Sequence, residues 1–387
     1  EKTPSFSVSP TKQFYHCFGC GAHGSAISFL MEHHGLGFVE AVHELARDVG
    51  LTVPEDHSRE GAEAARKASQ QLALSQWLDQ AARYYRSRLK ETPAAISYLK
   101  ERGVTGEIAR HFGLGYAPAG WRNLEGVLPD YAAEDAVRAG LVIAGEDGKR
   151  YDRFRERIMF PIRNPRGQVI GFGGRVLGQG EPKYLNSPES DIYHKSKVLY
   201  GIFFAKQAIA KADNCYLVEG YTDVIQLHQK GIENVVASSG TALTPDQIRL
   251  IHRLTPNITV LYDGDAAGLR ASIRGIDLIL EQGMNVKVCT FPDGEDPDSF
   301  ARKTAYEDLV IYLQDHATDF IRFKASLLMQ EAQDDPIKKA ETIRDMVESI
   351  SKIPDLIKRE VYVRECASIM DISEQVLFST LAQILKK

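Results

Sequence analysis

The chain has 387 residues, 43% of them hydrophobic and 26% charged, which is enough apolar side chain for two or more domain cores and excludes a disordered tail or a disulfide-held miniprotein. Its apolar runs stop well short of the roughly 18 residues that cross a bilayer, so a membrane-spanning chain is excluded as well. The formal net charge of -5 argues against a polyanion partner only until the charges are placed along the chain.

Residues 1–52 are rich in Gly, His and aromatics, and residues 53–70 turn charged and Ala-rich, as a linker or the lead into a helix does. Helical spacing follows through Leu72, Leu74, Trp77, Leu78, Ala81, Tyr84, Tyr85 and Leu89, and again at Ile96, Tyr98 and Leu99. From Lys149 to Lys206 the chain carries 12 Lys/Arg against 5 Asp/Glu, while the remainder carries 35 against 47. A phosphate backbone responds to the local field over about one Debye length, so this basic island suits a polyanion despite the overall sign; a solvated face is the plain alternative. Within it, Ile158, Phe160 and Ile162 alternate, and Asn164-Pro165-Arg166-Gly167 turns the chain into Val169-Ile170-Gly171-Phe172, a hairpin. Residues 71–205 are expected to form an α/β unit.

Over 206–305 short apolar strands alternate with helices. Strands are expected at Cys215–Val218, Val235–Ala237, Ile258–Tyr262 and Val286–Phe291, and helices at Asp223–Lys230, Pro245–Leu254 and Ala266–Leu280. Near-continuous apolar strands separated by helices predict a parallel sheet covered on both faces, an α/β fold. Residues 306–387 are helix-forming with few glycines and are expected to make a helical bundle. The five cysteines are too sparse for a disulfide framework. Cys215, Cys289 and Cys366 lie in apolar or amphipathic stretches and read as reduced core residues, which suits a cytoplasmic protein.

The acids fall where that sheet would make use of them. Glu219-Gly220 follow the first strand directly, with Asp223 one helical turn on. Asp263-Gly264-Asp265 follow the third strand, and Asp293-Gly294-Glu295-Asp296-Pro297-Asp298 the fourth. Open parallel sheets place their functional crevice at the carboxyl ends of the strands, so three acidic loops converge on one edge. Each loop alone passes for a turn, since Asp-Gly pairs are common turn formers; their coincidence is the signal. Gathered carboxylates repel one another, and a hard divalent cation resolves the conflict. Oxygen-only ligands select Mg²⁺ or Mn²⁺ over zinc or copper, and such ions stabilise the attacking and leaving oxygens of phosphoryl transfer. The chain has no G-x-x-x-x-G-K-[ST] element, which leaves triphosphate binding to the metals and the basic island.

The Glu-Gly, Asp-x-Asp and final acidic loop resemble the toprim fold of bacterial primases, topoisomerases and some nucleases. Phe14-Tyr15-His16-Cys17-Phe18-Gly19-Cys20-Gly21, Arg153-Phe154-Arg155-Glu156-Arg157, Gly171-Phe172-Gly173-Gly174-Arg175, Pro182-Lys183-Tyr184-Leu185-Asn186-Ser187-Pro188 and Val218-Glu219-Gly220-Tyr221 closely resemble, in order and over nearly the whole length, the bacterial replicative DNA primases. The resemblance implies a multidomain α+β protein: a partial zinc ribbon at 1–52, a linker at 53–70, a basic α/β subdomain at 71–205, a toprim domain at 206–305 and a helical bundle at 306–387. It implies a monomeric cytoplasmic nucleotidyltransferase, a DNA-directed RNA polymerase that makes short primers at the replication fork. Its partners would be a single-stranded DNA template, ribonucleoside triphosphates and the replicative helicase, with no membrane. Carried across by motif, Glu219, Asp263 and Asp265 are catalytic; with Asp223, Asp296 and Asp298 they hold Mg²⁺ or Mn²⁺, and Glu219 also handles protons. Arg102, Arg153, Arg155, Arg175, Lys183, Tyr184, Asn186 and Lys195 match the set that contacts template and nucleotide. Arg and Lys offer donors to phosphates, and Tyr184 offers a face to a base.

Cys17-x-x-Cys20 has the shape of half a zinc knuckle, and a closed site needs four ligands. In the family a Cys and a His from upstream of Glu1 supply the rest, so Zn²⁺ belongs to the full-length protein and residues 1–50 are not expected to close the site alone; His16 and His23 are not the family's ligands. The first residue is Glu1, not Met, in keeping with a truncated or processed chain. The family's helicase-docking domain is likewise expected beyond Lys387 and absent here. Competing classes are another toprim enzyme, a topoisomerase or nuclease, and a non-catalytic module that binds single-stranded DNA. A topoisomerase would need a nucleophilic tyrosine in a further large domain, which nothing in the sequence resembles, and the non-catalytic module leaves the converging acids unexplained.

Overall fold

The structure is a computed structural model that describes residues 5–18, 22–34, 36, 38–53, 59–240, 242–263, 266–332 and 335–386. The chain begins with an antiparallel ribbon of β1 (Phe6–Ser9), β2 (Phe14–Cys17) and β3 (His23–Gly24), followed by α1 (Ala26–His34) and α2 (Phe38–Asp48). So small a unit has little to bury: Tyr15, Cys17, Leu30 and Ala41 are its buried side chains among the described residues, and the ring of Tyr15 lies 5.3 Å from those of both Phe29 and the exposed Phe6.

Next comes α3 (Arg59–Lys90), so most of the segment 53–70 is the lead into a helix rather than a linker. Leu74, Leu78, Ala81, Tyr85 and Leu89 recur on its buried stripe. After α4 (Pro93–Glu101) and α5 (Gly106–Phe112) the chain forms β4 (Gly115–Ala117), α6 (Glu134–Arg138), the ribbon of β5 (Val142–Ala144) and β6 (Arg150–Asp152), and then β7 (Arg157–Arg163), β8 (Val169–Val176) and β9 (Tyr184–Asn186). An antiparallel sheet runs β4-β7-β8-β9. The hairpin between β7 and β8 turns where expected: Gly167 N–H donates to the Asn164 carbonyl at 2.9 Å, and the Asn164 side chain accepts from Arg166 N–H at 3.0 Å.

The second sheet follows α7 (Ile202–Ala212). It takes β10 (Cys215–Val218), α8 (Tyr221–Gln229), β11 (Val235–Ala237), α9 (Pro245–His252), β12 (Asn257–Tyr262), α10 (Ala266–Glu281), β13 (Asn285–Thr290), α11 (Pro297–Lys303), α12 (Tyr306–Asp315) and β14 (Thr318–Asp319). The strand order is β11-β10-β12-β13-β14, parallel throughout except for β14, which pairs antiparallel to β13. Alternate strand residues serve the two faces. Leu217, Val260 and Val288 pack with Ile248, Ile276 and Ile279, while Val218, Leu261 and Cys289 pack with Val224, Ile225 and Leu309. Cys215, Cys289 and Cys366 are free, buried thiols whose burial pushes their pKa up, as expected of core residues.

The chain closes with α13 (Phe320–Ala332), α14 (Pro336–Ser351), α15 (Leu356–Met370) and α16 (Glu374–Leu385). These helices do not stand apart. Met346, Val347, Ile350, Val363 and Cys366 belong to the same core as Leu217 and Val260; α12 packs with the sheet, and β14 extends the sheet while its Asp319 accepts from Tyr362 of α15 at 2.6 Å.

Candidate active site

The register of the parallel sheet sets what stands at its edge. Val218 pairs with Ala237, Leu217 with Val260 and Tyr262 with Thr290, so the residues that leave β10, β11, β12 and β13 emerge side by side. There the structure opens a cavity of about 510 Å³. Glu219, Asp223, Asp263 and Asp296 line one wall, and Arg102, Arg175, Lys183, Tyr184 and Asn186 from the first sheet and its flank line the other. Acids and cations that lie far apart in sequence thus share one chamber.

The acids are not equivalent. Asp223 sits in the first turn of α8, accepting from Gly220 N–H at 2.9 Å with one oxygen and from Asp298 N–H at 3.2 Å with the other. It ties the loop after β10 to the start of α11. Burial, reinforced by the carboxylates of Asp296, Asp263 and Asp298 and opposed by the Gly220 N–H, pushes its pKa up to about 8. Asp296 is the N-cap of α11: its side chain accepts from Ser299 N–H at 2.6 Å while Ser299 Oγ accepts from Asp296 N–H at 3.0 Å. Asp298, expected as a metal ligand, is buried and turned away from the cavity into Arg102, which donates to Oδ2, and Arg302, whose Nε lies 3.0 Å from Oδ1. Burial still raises its pKa against both guanidiniums. Asp265 lies outside the described residues.

Among the described residues no three His, Cys, Asp or Glu side chains are gathered closely enough to enclose an ion by themselves. The chamber nevertheless fits a hard divalent cation. Its acidic wall offers only oxygen donors, and burial together with the neighbouring carboxylates raises the Asp223 pKa, a strain that a divalent cation would relieve. Mg²⁺ keeps several waters and takes one or two carboxylates plus substrate phosphates, so a closed protein cage is not required.

The opposite wall is built on β8 and β9, whose register pairs Arg175 with Tyr184. Arg175 Nη1 donates to Tyr184 Oη at 2.9 Å, and its guanidinium lies over the rings of Tyr98 and Tyr184, 5.5 and 5.3 Å from their centroids. Asn186 Nδ2 donates to the Ser239 carbonyl at 3.1 Å while its Oδ1 accepts from Tyr221 Oη at 2.7 Å, a bridge between the two sheets. Three residues of the expected contact set lie outside the chamber. Arg153 donates to the Asn186 carbonyl at 2.9 Å, supporting β9. Arg155 stacks on Trp121 with its guanidinium 4.1 Å from the ring centroid, and Lys195 sits in a turn whose carbonyl accepts from Gln247 Nε2 at 3.1 Å.

The sequence reading missed Tyr221, Ser239 and Gly240, which also line the chamber. Tyr221 is buried, its ring stacked 5.1 Å from Phe160. Ser239 takes a left-handed backbone (φ 59) unusual for a residue with a side chain. Its N–H donates to the Glu219 carbonyl at 3.0 Å. The signal was available: Ser238-Ser239-Gly240 leaves β11 at the same edge as the acidic loops.

In the N-terminal ribbon, Cys17 ends β2, buried, with Sγ 3.5 Å from Ser5 Oγ. Cys20 lies outside the described residues. His16 and His23 are paired across β2 and β3 with their rings 5.9 Å apart.

Four family models match parts of the chain. They are the CHC2 zinc finger over residues 1–61, the N-terminal domain of the DNA primase catalytic core over 84–206, a Toprim-like model over 216–301 and the DnaB-helicase binding domain of primase over 325–375. The last match falls on α13, α14 and α15, which corrects the expectation that a helicase-docking region lies wholly outside this chain. The DNA primase of Pseudomonas aeruginosa is 46% identical over 341 residues, 86% of this chain and 51% of the relative. That of Clostridium acetobutylicum is 39% identical over 393 residues, 100% and 64% of the two lengths. The chain therefore spans about half to two thirds of the length of such relatives. Among solved structures, a DNA primase domain from Pseudomonas aeruginosa matches with a TM-score of 0.74 at 40% identity, covering 80% of this chain and 99% of that one. The zinc-binding and RNA polymerase domains of the Aquifex aeolicus primase match with 0.70 at 33%, covering 97% and 89%. A DnaG primase catalytic domain bound to single-stranded DNA matches with 0.69 at 38%, covering 78% and 99%.

Proposed function

The chain belongs to the family of bacterial DNA primases, and on that footing we propose that it is a DNA-directed RNA polymerase that joins ribonucleotides into short primers on single-stranded DNA. One observation carries the reading: the chamber sets Glu219, Asp223, Asp263 and Asp296 against Arg102, Arg175, Lys183, Tyr184 and Asn186. Polymerisation needs a 3′ hydroxyl lined up with a triphosphate while negative charge builds on the departing pyrophosphate. Mg²⁺ or Mn²⁺, held by Glu219, Asp263, Asp265 and Asp296, would supply the counter-charge for the attacking and leaving oxygens. The protein's task is then largely positioning. Arg175 and Lys183 aim donors at phosphates, Tyr184 offers a ring face to a base, and Asp223 holds the acidic loops in place through Gly220 and Asp298. Asp298 serves by anchoring Arg102 at the rim rather than by ligating the ion.

In the N-terminal ribbon Cys17 and Cys20 would contribute to a structural zinc site, in keeping with the zinc-finger match. Helices α13 to α15 are the region proposed to meet the replicative helicase, and the place of action is the cytoplasmic replication fork. The test is direct. With single-stranded template, labelled ribonucleotides and Mg²⁺, the chain is expected to make template-dependent RNA. Removing one carboxylate in Asp263→Ala or Asp265→Ala is expected to lower the rate about a hundredfold or more, the kinetic equivalent of several kcal/mol of lost charge stabilisation, with single-stranded DNA binding retained. Full synthesis by either variant would overturn the assignment, and template cleavage without synthesis would point to a nuclease.

A further inference from the structure

A second cavity, of about 440 Å³, opens where the C-terminal end of α3 meets α4 and α5. It shares no lining residue with the chamber described above. Its floor is aliphatic: Leu89, Leu99 and Val104 are buried beneath it and Ile96 is half-buried at its side. Its lip is cationic. Arg86, Lys90, Lys100 and Arg110 are all exposed there, and no acidic residue lines the cavity. On the same helix Arg83 pairs with Asp79 and Arg88 with Glu91, whereas none of the four lip cations forms an ion pair among the described residues.

Helix ends explain part of this. Lys90, Lys100 and Arg110 stand in the last turns of α3, α4 and α5, where the partial negative charge of the carbonyls favours a cation. That does not account for Arg86, nor for an aliphatic floor left open inside a ring of unpaired positive charge. A nucleic-acid strand would use the charge but not the floor, and the cavity offers no aromatic face for bases.

We propose that this cavity is a docking site for a short acidic peptide segment of a partner protein, one that seats an apolar side chain on the aliphatic floor and sets its carboxylates against the four cations. Apolar anchoring with charge complementarity at the rim is how such segments gain both affinity and selectivity. The site adjoins the chamber without belonging to it. The loop between α4 and α5 separates the two, and Gln229 of α8 holds that loop, accepting from Thr105 N–H at 2.9 Å and donating to the Gly103 carbonyl at 2.8 Å.

The experiment uses the full chain and fluorescence anisotropy of labelled acidic peptides, each carrying a leucine–phenylalanine, isoleucine–leucine or valine–tyrosine pair. At least one should bind saturably, lose affinity as salt is raised, and bind about tenfold or more weakly to Lys90→Glu/Lys100→Glu. A peptide with serines in place of the apolar pair should not bind, and the variant should keep its melting temperature and primer synthesis. Failure of every peptide to bind at about millimolar concentration, the weak limit of specific association, would overturn the proposal. So would equal binding by the charge-reversed variant or by the serine peptide, or displacement of the peptide by a single-stranded oligonucleotide.

Discussion

Asp223 is the residue on which the chamber's electrostatics turn. An unfolded aspartate has a pKa of about 4, and burial with three carboxylate neighbours pushes the folded value up to about 8. Folding therefore takes up a proton within that window, and the sign follows: this group makes stability fall as pH rises from about 4 to 8, with no further loss above it. Mg²⁺ relieves the same repulsion, so the rise in melting temperature it brings should grow across the window. Asp223→Asn should flatten both dependences in a thermal-shift series while lowering synthesis, since an amide can accept only one of the two N–H bonds from Gly220 and Asp298. An unchanged slope in the variant would show that Asp223 is not the titrating group. At this scale the sequence was a fair guide to which loops meet, because acids at the ends of parallel strands have one edge to occupy. It was a poor guide to direction. Asp296-Pro297 carries an N-cap signal that went unread, but nothing local tells that Asp298 turns into Arg102 and Arg302, and Arg153, Arg155 and Lys195 were directed by packing that no local pattern encodes.

Between the two sheets, β8 and the start of α8 fit with no room to spare. A Cβ added at Gly173 would lie 2.4 Å from the Tyr221 ring, and Tyr221 is the residue whose hydroxyl donates to Asn186. Gly173→Ala is expected to cost about 1–3 kcal/mol in denaturant unfolding, as overpacking does, and to depress synthesis by moving Asn186 and the Glu219-Gly220 loop. Unchanged unfolding and synthesis would mean that the two sheets have slack at this contact. The elements with strong patterns were legible from sequence, among them the hairpin at Asn164–Gly167 and β10, β11 and β12. Weakly patterned ones were not: β14 is two residues long and antiparallel, and no periodicity marks so short a strand. The helix from Arg59 was blurred because its sequence up to Gln71 is polar and Ala-rich and its side chains at 65–70 are exposed, without the apolar stripe that begins at Leu74.

Across the whole molecule, the C-terminal helices are welded to the parallel sheet. Buried Lys324 of α13 donates to Ser349 Oγ of α14 at 2.6 Å and to the Asp345 carbonyl at 2.8 Å, and Ser349 Oγ donates to Asp277 of α10, the helix that follows the Asp263-Gly264-Asp265 loop. Lys324→Met should lower stability by about 2–3 kcal/mol, because it removes the donor to Ser349 Oγ and the larger of the two cationic influences, Lys324 and Lys352, on the Asp277 carboxylate, and Asp277→Asn in the same chain should recover part of the loss. No change in the unfolding midpoint would make the network incidental. The zinc-knuckle, basic and acidic-loop stretches could be told apart in the sequence, since each carries its own motif, whereas the helical stretch after Tyr306 carries none. The fusion of helices and sheet could not be read, because a shared core is a property of packing between segments distant in the chain. The claim on which the rest depends is that the acidic strand ends form a divalent-cation site. Titrating the full chain with Mn²⁺ and following the free ion by electron paramagnetic resonance tests it most directly. Saturable uptake, displaced by Mg²⁺ and weakened about tenfold or more in Asp263→Ala, is the predicted result, and equal uptake by the variant and the unaltered chain would contradict it.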